Sequence, residues 1–382
     1  MALAARDVVV SKSRNSGSEF LQERKGQWEA FNFQGQERQG LFLVRMDPLS
    51  GNQSRICEDR AKREVGIRVD LDIRPVANCP FCQPFTDAVP RNKLHHECGA
   101  LTLRNLNPWE RSCCVTLYPP LGEHRPLLSD LYFNHLECLI ESEYDLAQEF
   151  ARQGGVVAFT DFTNWGPYAG ASQQHPHSQR TTITGFLDPV QSRELDRCQR
   201  LFHRHDANPF DILIREEQED GRRIIHDDGI FIAAQFAPSF SNEVIVIPKY
   251  DISHILQTGP VDRSEIITPA LGVFHAMFFY GGITNLNVAV HMAPFGLAEE
   301  ARDYYRWHMH VYPRRSSLPS DRAGAELGYD LNVIDVLPEN TAAKLRSWFE
   351  EGPREEMLAK LPDGTVDDKL REAFRRFLGA QG

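Results

Sequence analysis

No apolar run in these 382 residues approaches the ~18–20 needed to span a bilayer, so the chain is not read as a helical membrane protein. A long basic stripe is missing too. Forty-two Lys and Arg stand against 53 Asp and Glu, giving a formal charge of −11. The basic residues come in short clusters such as Arg60-Ala61-Lys62-Arg63. An acidic chain of this kind is a poor binder of duplex nucleic acid, although local arginines can still hold a phosphorylated small molecule. From Met1 to about Phe31 there is no apolar core of a signal peptide, and the expectation is a frayed extension on a cytoplasmic protein. The eight cysteines of a long cytosolic chain are expected to be buried thiols or metal ligands rather than a disulfide framework. No low-complexity linker divides the chain. With 41% hydrophobic residues it can bury a large core in one or two domains.

What is present is a repeated order of elements. Residues 100–106 and 113–118 are β-rich, a helix is expected within Leu127–Gln153, and Gly155–Phe162 reads as a strand. In the second half Asn242–Pro248 echoes Cys113–Pro119, a helix is expected around Ser264–Tyr280, and Thr284–His291 reads as a strand. Each half then ends in a His-x-His strand, His175-Pro176-His177 and His308-Met309-His310. The fold class expected is α+β, two related halves sharing one antiparallel sheet with flanking helices. Val366–Leu378 reads as a solvated charged helix.

The chemistry centres on Ser172-Gln173-Gln174-His175-Pro176-His177-Ser178-Gln179. Pro176 suits an extended segment at an edge or bulge, and residues two apart on such a segment share a face. His175, His177 and Gln179 then point the same way. A neutral imidazole is a competent nucleophile toward phosphorus, and an amide two residues on can hold a phosphoryl oxygen without supplying a proton. His-x-His-x-Gln therefore suits transfer to an acceptor better than hydrolysis. Arg60 and Arg63, three apart, share a face on a helical turn and can clamp a phosphate, although a solvated charged turn is the commoner explanation of such a pair.

Two metal-type constellations accompany this strand. Cys79-x-x-Cys82 has the spacing of two thiolates on one ion. With His124 and His175 it would make a closed Cys₂His₂ zinc site, and fixing His175 would fix the strand that carries His177. His95, His96 and Cys98 are rival ligands. The second group is His291, His308 and His310, for which Glu194 is a candidate carboxylate partner; ordinary core or edge histidines are the bland alternative.

Together these residues resemble the galactose-1-phosphate uridylyltransferase family of the histidine triad superfamily, over about Leu41 to Leu345. Asp47-Pro48-Leu49-Ser50-Gly51 with Arg60-Ala61-Lys62-Arg63, Cys79-x-x-Cys82, Asn164 through Gln179, His291-Met292-Ala293-Pro294-Phe295 and His308 through Pro313 carry the resemblance. It implies an extension at 1–40, a first histidine-triad-like half at 41–205 with the nucleophile, a second half at 206–350 and a helical tail at 351–382. It implies that His177 is the nucleophile and that Gln179 binds the transferred phosphoryl group. Gly170 and Ser172 would contact phosphate, Asn164 would support the site, and Tyr329 and Asp330 would face the sugar. Cys79, Cys82, His124 and His175 would bind zinc. Glu194, His291, His308 and His310 would bind a second metal, iron or zinc. Arg60 and Arg63 would reach phosphate from the neighbouring subunit of a homodimer.

The function expected is nucleotidyl transfer between sugar 1-phosphates through a nucleotidyl-His177 intermediate, with a UDP-hexose donor. The substrates are a nucleotide sugar and a sugar 1-phosphate, with no nucleic acid and no membrane as partner. Departures from the family at Asn105-Leu106-Asn107 and at Gly324-Ala325 leave the base and the sugar open. The rivals are a nucleoside diphosphate sugar or dinucleoside polyphosphate phosphorylase, which uses inorganic phosphate as acceptor, and an inactive metal-stabilised nucleotide-binding protein.

Overall fold

A computed structural model describes residues 20–27, 31–33, 36–38, 41–58, 79–82, 93–105, 108–119, 121, 133–173, 175–314 and 322–351. Arg60, Arg63, His124 and the C-terminal 352–382, with its expected charged helix, lie outside the described residues.

The chain opens with β1 (Gln22–Gln27), β2 (Phe31–Phe33), β3 (Gln36–Arg38), β4 (Leu41–Met46) and β5 (Gln53–Ile56). Strand β1 pairs antiparallel with β4, so part of the stretch expected to fray is built into a sheet. Next come β6 (Lys93–His95), β7 (Leu101–Arg104), β8 (Cys113–Leu117), helix α1 (Phe133–Ala151), β9 (Val156–Trp165) and β10 (His177–Thr184). Helices α2 (Pro189–His205) and α3 (Pro209–Asp220) follow. The second half contributes β11 (Ile224–Asp227), β12 (Ile230–Ala234), β13 (Val244–Pro248), α4 (Pro260–Phe279), β14 (Asn285–His291), α5 (Ala298–Ala301) and β15 (His308–Arg314). The described chain ends with α6 (Gly324–Tyr329), β16 (Leu331–Ile334) and α7 (Pro338–Glu351).

Ten strands form one sheet in the order β11-β12-β13-β15-β14-β9-β10-β8-β7-β6. Read outward from the β9–β14 seam, the two sides run β9-β10-β8-β7-β6 and β14-β15-β13-β12-β11. These are the same topology twice, with every strand pair in the sheet antiparallel. The expected duplicated sheet is thus present. A smaller sheet, β1-β4-β5-β16, packs beside it.

Side chains alternate across a strand, so the two faces of the large sheet carry different residues. Helices α1, α4 and α7 cover one face, where Phe159, Val246, Val288, Val290, Met309 and Val311 are buried. Each fully buried side chain of this kind contributes roughly 1.5–3 kcal/mol. On the other face, Phe231, Ile245 and Ile247 pack under Leu195, Phe210 and Leu213 of α2 and α3. Helix α2 starts where Asp188 accepts from the amides of Val190 and Gln191 at 3.1 and 3.0 Å, with Pro189 in its first turn. Arg180 on β10 points to the α1 side, where it donates to the Leu139 carbonyl at 2.7 Å and to Ser142 Oγ at 3.0 Å. His177 and Gln179, of opposite parity, therefore face the other way.

One expectation is corrected. The histidine strand is central, paired with β8 on one side and β9 on the other, not an edge. Pro176 is compatible with this because the strand begins at His177, so the missing proline N–H costs no ladder bond. Among the described residues no helix is long and apolar enough to cross a membrane.

Candidate active site and metal centres

The approach to β10 is stitched to the second half. Gly166 has φ 82°, and a Cβ there would fall 2.1 Å from Asn285 Oδ1. That oxygen instead accepts the amide of Tyr168 at 3.1 Å. The turn Pro167–Ala169 is held further by Asn287 Nδ2, which donates to the Ala169 carbonyl at 2.8 Å. Gly170 and Ser172 lie exposed where this loop leads toward β10.

His177 is buried, with only 4% of its surface exposed. Its Nδ1 lies 2.7 Å from the His175 carbonyl oxygen. A carbonyl only accepts, so the proton sits on Nδ1 and the lone pair on Nε2. Burial pushes the His177 imidazole below its ordinary value, against the pull of that hydrogen bond, so the neutral form dominates at neutral pH. The Phe81 ring meets His175 and His177 edge-on, with centroids 6.0 and 5.3 Å away.

The sheet register sets the neighbours of this ring. His177 stands opposite Leu117 and Gln179 opposite Val115 and Phe162. Since Ser178 pairs with Thr163, Asn164 comes next to His177 on the adjoining strand. Asn164 is opposite Asn287, and Asn287 is opposite Tyr312. Asn287 Nδ2 donates to Asn164 Oδ1 at 2.7 Å. His177, Gln179 and Asn164 are thus brought onto one face.

Cys79, Cys82 and His175 each offer a ligand atom, and these atoms lie within 4.8 Å of one another. Cys82 Sγ is 3.5 Å from His175 Nδ1. Burial, then the neighbouring Cys79, pushes the Cys82 thiol up to about 11, a pressure that a bound cation would reverse. Two sulfurs and an imidazole nitrogen are a soft donor set that fits zinc. Of the rivals, His96 is committed elsewhere: Nδ1 is 2.7 Å from Asp145 Oδ2 and Nε2 is 2.8 Å from Thr102 Oγ1. The Cys98 carbonyl accepts from Cys138 Sγ at 3.0 Å. Neither these nor His95 joins the cluster.

Glu194, His291, His308 and His310 form the second group, all buried and with ligand atoms within 4.8 Å of one another. Glu194 is in the second turn of α2, not at its first residue, and reaches the ends of β14 and β15 from there. Glu194 Oε2 lies 2.9 Å from His291 Nδ1 and accepts from Tyr305 OH at 2.9 Å. Burial would raise this carboxyl, but the charge and hydrogen bond of His291 outweigh it and hold it well below its ordinary value. Burial pushes His308 down to about 3 and His310 to about 4, which keeps both neutral as ligands must be. His308 Nδ1 donates to the Arg306 carbonyl at 2.8 Å, leaving Nε2 as the donor atom. His310 Nδ1 lies 2.9 Å from Glu243 Oε1, the partner that orients a ligating imidazole. One carboxylate oxygen and three imidazoles fit a divalent transition metal.

Tyr329 is exposed, and Asp330 makes an exposed ion pair with Arg193 at 3.0 Å. The residues that sequence reading missed are Asn287, Tyr305 and Glu243. Polar residues at alternate positions Asn285, Asn287 and His291 of an otherwise apolar strand were the available signal for the first. Glu243 and Tyr305 had none, because they meet their partners 67 and 111 residues away in the chain.

No family model matches the sequence. The chain is 24% identical over 341 residues to an ADP-glucose phosphorylase of Arabidopsis thaliana, covering 79% of this chain and 92% of the relative. It is 22% identical over 238 residues to a galactose-1-phosphate uridylyltransferase of Thermotoga maritima, covering 61% of this chain and 73% of the relative. Among solved structures, an Arabidopsis thaliana ADP-glucose phosphorylase with bound ADP-glucose superposes with a TM-score of 0.68 at 20% identity, covering 79% of this chain and 97% of the other. A uridylyltransferase superposes with a TM-score of 0.61 at 22% identity, covering 80% and 97%. The chain shares the fold of these proteins, and the resemblance to the galactose-1-phosphate uridylyltransferase family stands on sequence and fold together.

Proposed function

We propose that this chain is a nucleotidyltransferase that takes a nucleoside monophosphate from a nucleoside diphosphate hexose onto His177 and passes it to a phosphate-bearing acceptor. The observation that carries the reading is the buried, neutral His177, whose Nδ1 proton is held by the His175 carbonyl so that Nε2 bears the lone pair.

In the first step Nε2 attacks the α-phosphorus. The Nε2–P bond forms, the P–O bond to the β-phosphate breaks, and the electron pair leaves with hexose 1-phosphate. In the second step an acceptor phosphate oxygen attacks phosphorus from the opposite side and the electron pair of the P–N bond returns to Nε2. No proton need move in either step, in keeping with Gln179 rather than an acid two residues from the nucleophile. Gln179 would hold the transferred phosphoryl group, with Gly170 and Ser172 on phosphate oxygens and Asn164 orienting the site. Alignment of a neutral imidazole against phosphorus can supply up to ~7–11 kcal/mol of the barrier reduction.

Zinc on Cys79, Cys82 and His175, with His124 as fourth ligand, would supply a mechanical tie that holds the start of β10. A second metal, iron or zinc, on Glu194, His291, His308 and His310 would brace α2 against β14 and β15. A cytoplasmic homodimer, with Arg60 and Arg63 reaching phosphate in the neighbouring subunit, completes the reading.

In the first version the donor is a UDP-hexose and the acceptor a second hexose 1-phosphate. In the second, inorganic phosphate discharges an adenylyl-enzyme made from an ADP-hexose. What favours the second is the similarity to ADP-glucose phosphorylase, which extends over 79% of the chain. Intact-mass measurement after incubation with UDP-glucose or ADP-glucose tests both. A uridylyl or adenylyl adduct on His177 is expected, and no adduct with either donor would refute the covalent mechanism.

A further inference from the structure

The row of side chains that begins at His177 ends on a guanidinium. Arg314 lies two residues beyond Tyr312, on the same face of β15, opposite Asn285. Its Nη1 donates to Asn287 Oδ1 at 2.9 Å. The Asn287 amide nitrogen in turn donates to Asn164 Oδ1 and to the Ala169 carbonyl at 2.7 and 2.8 Å. Arg314 is thereby tied to the strand neighbour of the nucleophile and to the loop that enters its strand.

The same guanidinium is held from behind. Arg314 Cζ lies 5.1 Å from the centroid of the Phe240 ring, and Arg322 Cζ lies 4.9 Å from that centroid. Phe240 meets Tyr312 edge-on with centroids 5.6 Å apart. A hydrogen bond on one edge and an aromatic ring beside its face set the plane of the Arg314 fork. A fork so fixed loses little freedom on binding a phosphate.

We propose that Arg314, with Arg322 beside it, binds the phosphate group that leaves in the first step and the one that arrives in the second. The ligand is a phosphate monoester or inorganic phosphate, and the inference rests on the nucleotidyl-transfer reading of His177. The placement follows from in-line displacement. Nε2 approaches the α-phosphorus at ~3–3.5 Å, and the departing oxygen lies on the far side of that phosphorus. The phosphate attached to that oxygen is therefore one phosphate length further from His177. Asn287, which holds the Arg314 guanidinium, is two strands from His177, roughly 10 Å by strand spacing. A guanidinium at that remove meets the phosphate on which negative charge accumulates as the P–O bond breaks.

The test uses the full-length chain preloaded with nucleotide from UDP-glucose or ADP-glucose. Discharge is followed with inorganic phosphate, with glucose 1-phosphate and with water alone. For Arg314→Gln, kcat/KM for both phosphate acceptors should fall about 10–100-fold, mostly through KM, as for loss of a charged hydrogen bond. Discharge by water should stay within about twofold, since water carries no phosphate. Arg314→Lys should recover part of the loss, and Arg322→Gln should show a smaller loss of the same kind. Equal discharge kinetics in wild type and Arg314→Gln would overturn the inference while leaving the covalent mechanism intact. A defect with glucose 1-phosphate but not with inorganic phosphate would overturn it as well, because the group read would be the sugar. A wild-type chain that forms no adduct overturns both. Should Arg314→Gln lose its fold, by melting temperature and metal content, the Arg314→Lys and Arg322→Gln profiles decide by the same criteria.

Discussion

His177 Nδ1 and the main-chain oxygen of His175 are 2.7 Å apart, which joins the candidate zinc ligand and the candidate nucleophile into one mechanical unit. Whatever holds His175 also holds the ring two residues on. The contact holds the proton on Nδ1 and leaves the lone pair of the His177 ring on Nε2.

Replacing the candidate nucleophile is the first test of this unit. His177→Gly should lower nucleotidyl transfer by about 10⁵-fold, the lower end of what an aligned reactant provides. The covalent adduct should disappear from the mass spectrum. Metal content and melting temperature should stay near wild type, since His177 is not in the Cys79, Cys82 and His175 cluster. Turnover within tenfold of wild type would rule out His177 as the attacking group.

Removing a candidate zinc ligand should act differently. Cys79→Ser is expected to lower zinc content and melting temperature together, because metal affinity is folding free energy at a structural site. Activity should fall as a consequence, through His175. His96→Gln is the control: its ring is engaged by Asp145 and Thr102, so zinc content should not change. Elemental analysis of the two variants beside the wild type separates the outcomes.

Glu143 on α1 makes stability depend on pH. Its Oε1 accepts from Trp307 Nε1 at 3.1 Å, while Oε2 is buried without a hydrogen-bond partner among the described residues. Burial, then nearby Asp161, pushes its carboxyl up to about 8, against the pull of Arg180. Because the folded value is raised, the folded chain keeps a proton that the unfolded chain releases near its ordinary 4.5. The stabilisation is full below that value and is lost as pH rises through about 8. Glu143→Gln, which keeps an acceptor for Trp307 and cannot ionise, should therefore melt higher than wild type at pH 8.5, with the gap closing toward pH 5. Parallel melting curves for the two proteins across this range would contradict the assignment.

On the face of β10 opposite His177, Arg180 forms an ion pair with Asp161 at 2.6 Å, with almost no exposure. Arg180 also donates to Thr116 Oγ1, Ser142 Oγ and the Leu139 carbonyl. Arg180→Met would leave Asp161 charged and buried, at a cost of about 3–5 kcal/mol. The double change Arg180→Met with Asp161→Leu should recover a substantial part of that loss. Denaturant titration of the three proteins measures the coupling, and additive losses would argue against a dependent pair.

Much of this was legible before any coordinates. Cys79-x-x-Cys82, His175-x-His177-x-Gln179 and His308-x-His310 are short-range patterns, and two-residue periodicity alone places His177 with Gln179, and His308 with His310, on one strand face. The repeated order of strands and helices was visible for the same reason, since apolar spacing within an element is local. Helices α2 and α3 were less clear, because their boundaries rest on Asp188 and Asn208 caps inside a stretch rich in charge.

Other features depended on which strands lie side by side. Glu194 was a guess from its type and position, and only the packing of α2 across β14 and β15 brings its oxygen to His291, 97 residues away. Glu243 beside His310, Asn287 between Asn164 and Arg314, and the commitment of His96 to Asp145 likewise join side chains from separate elements. The amino-acid sequence by itself determined which chemical groups the chain carries and which of them share a strand face, because covalent spacing and backbone periodicity act over a few residues. Strand order and register decided which groups meet, because side chains far apart in sequence come within hydrogen-bonding distance only when the burial of two apolar faces has set the strands in one arrangement.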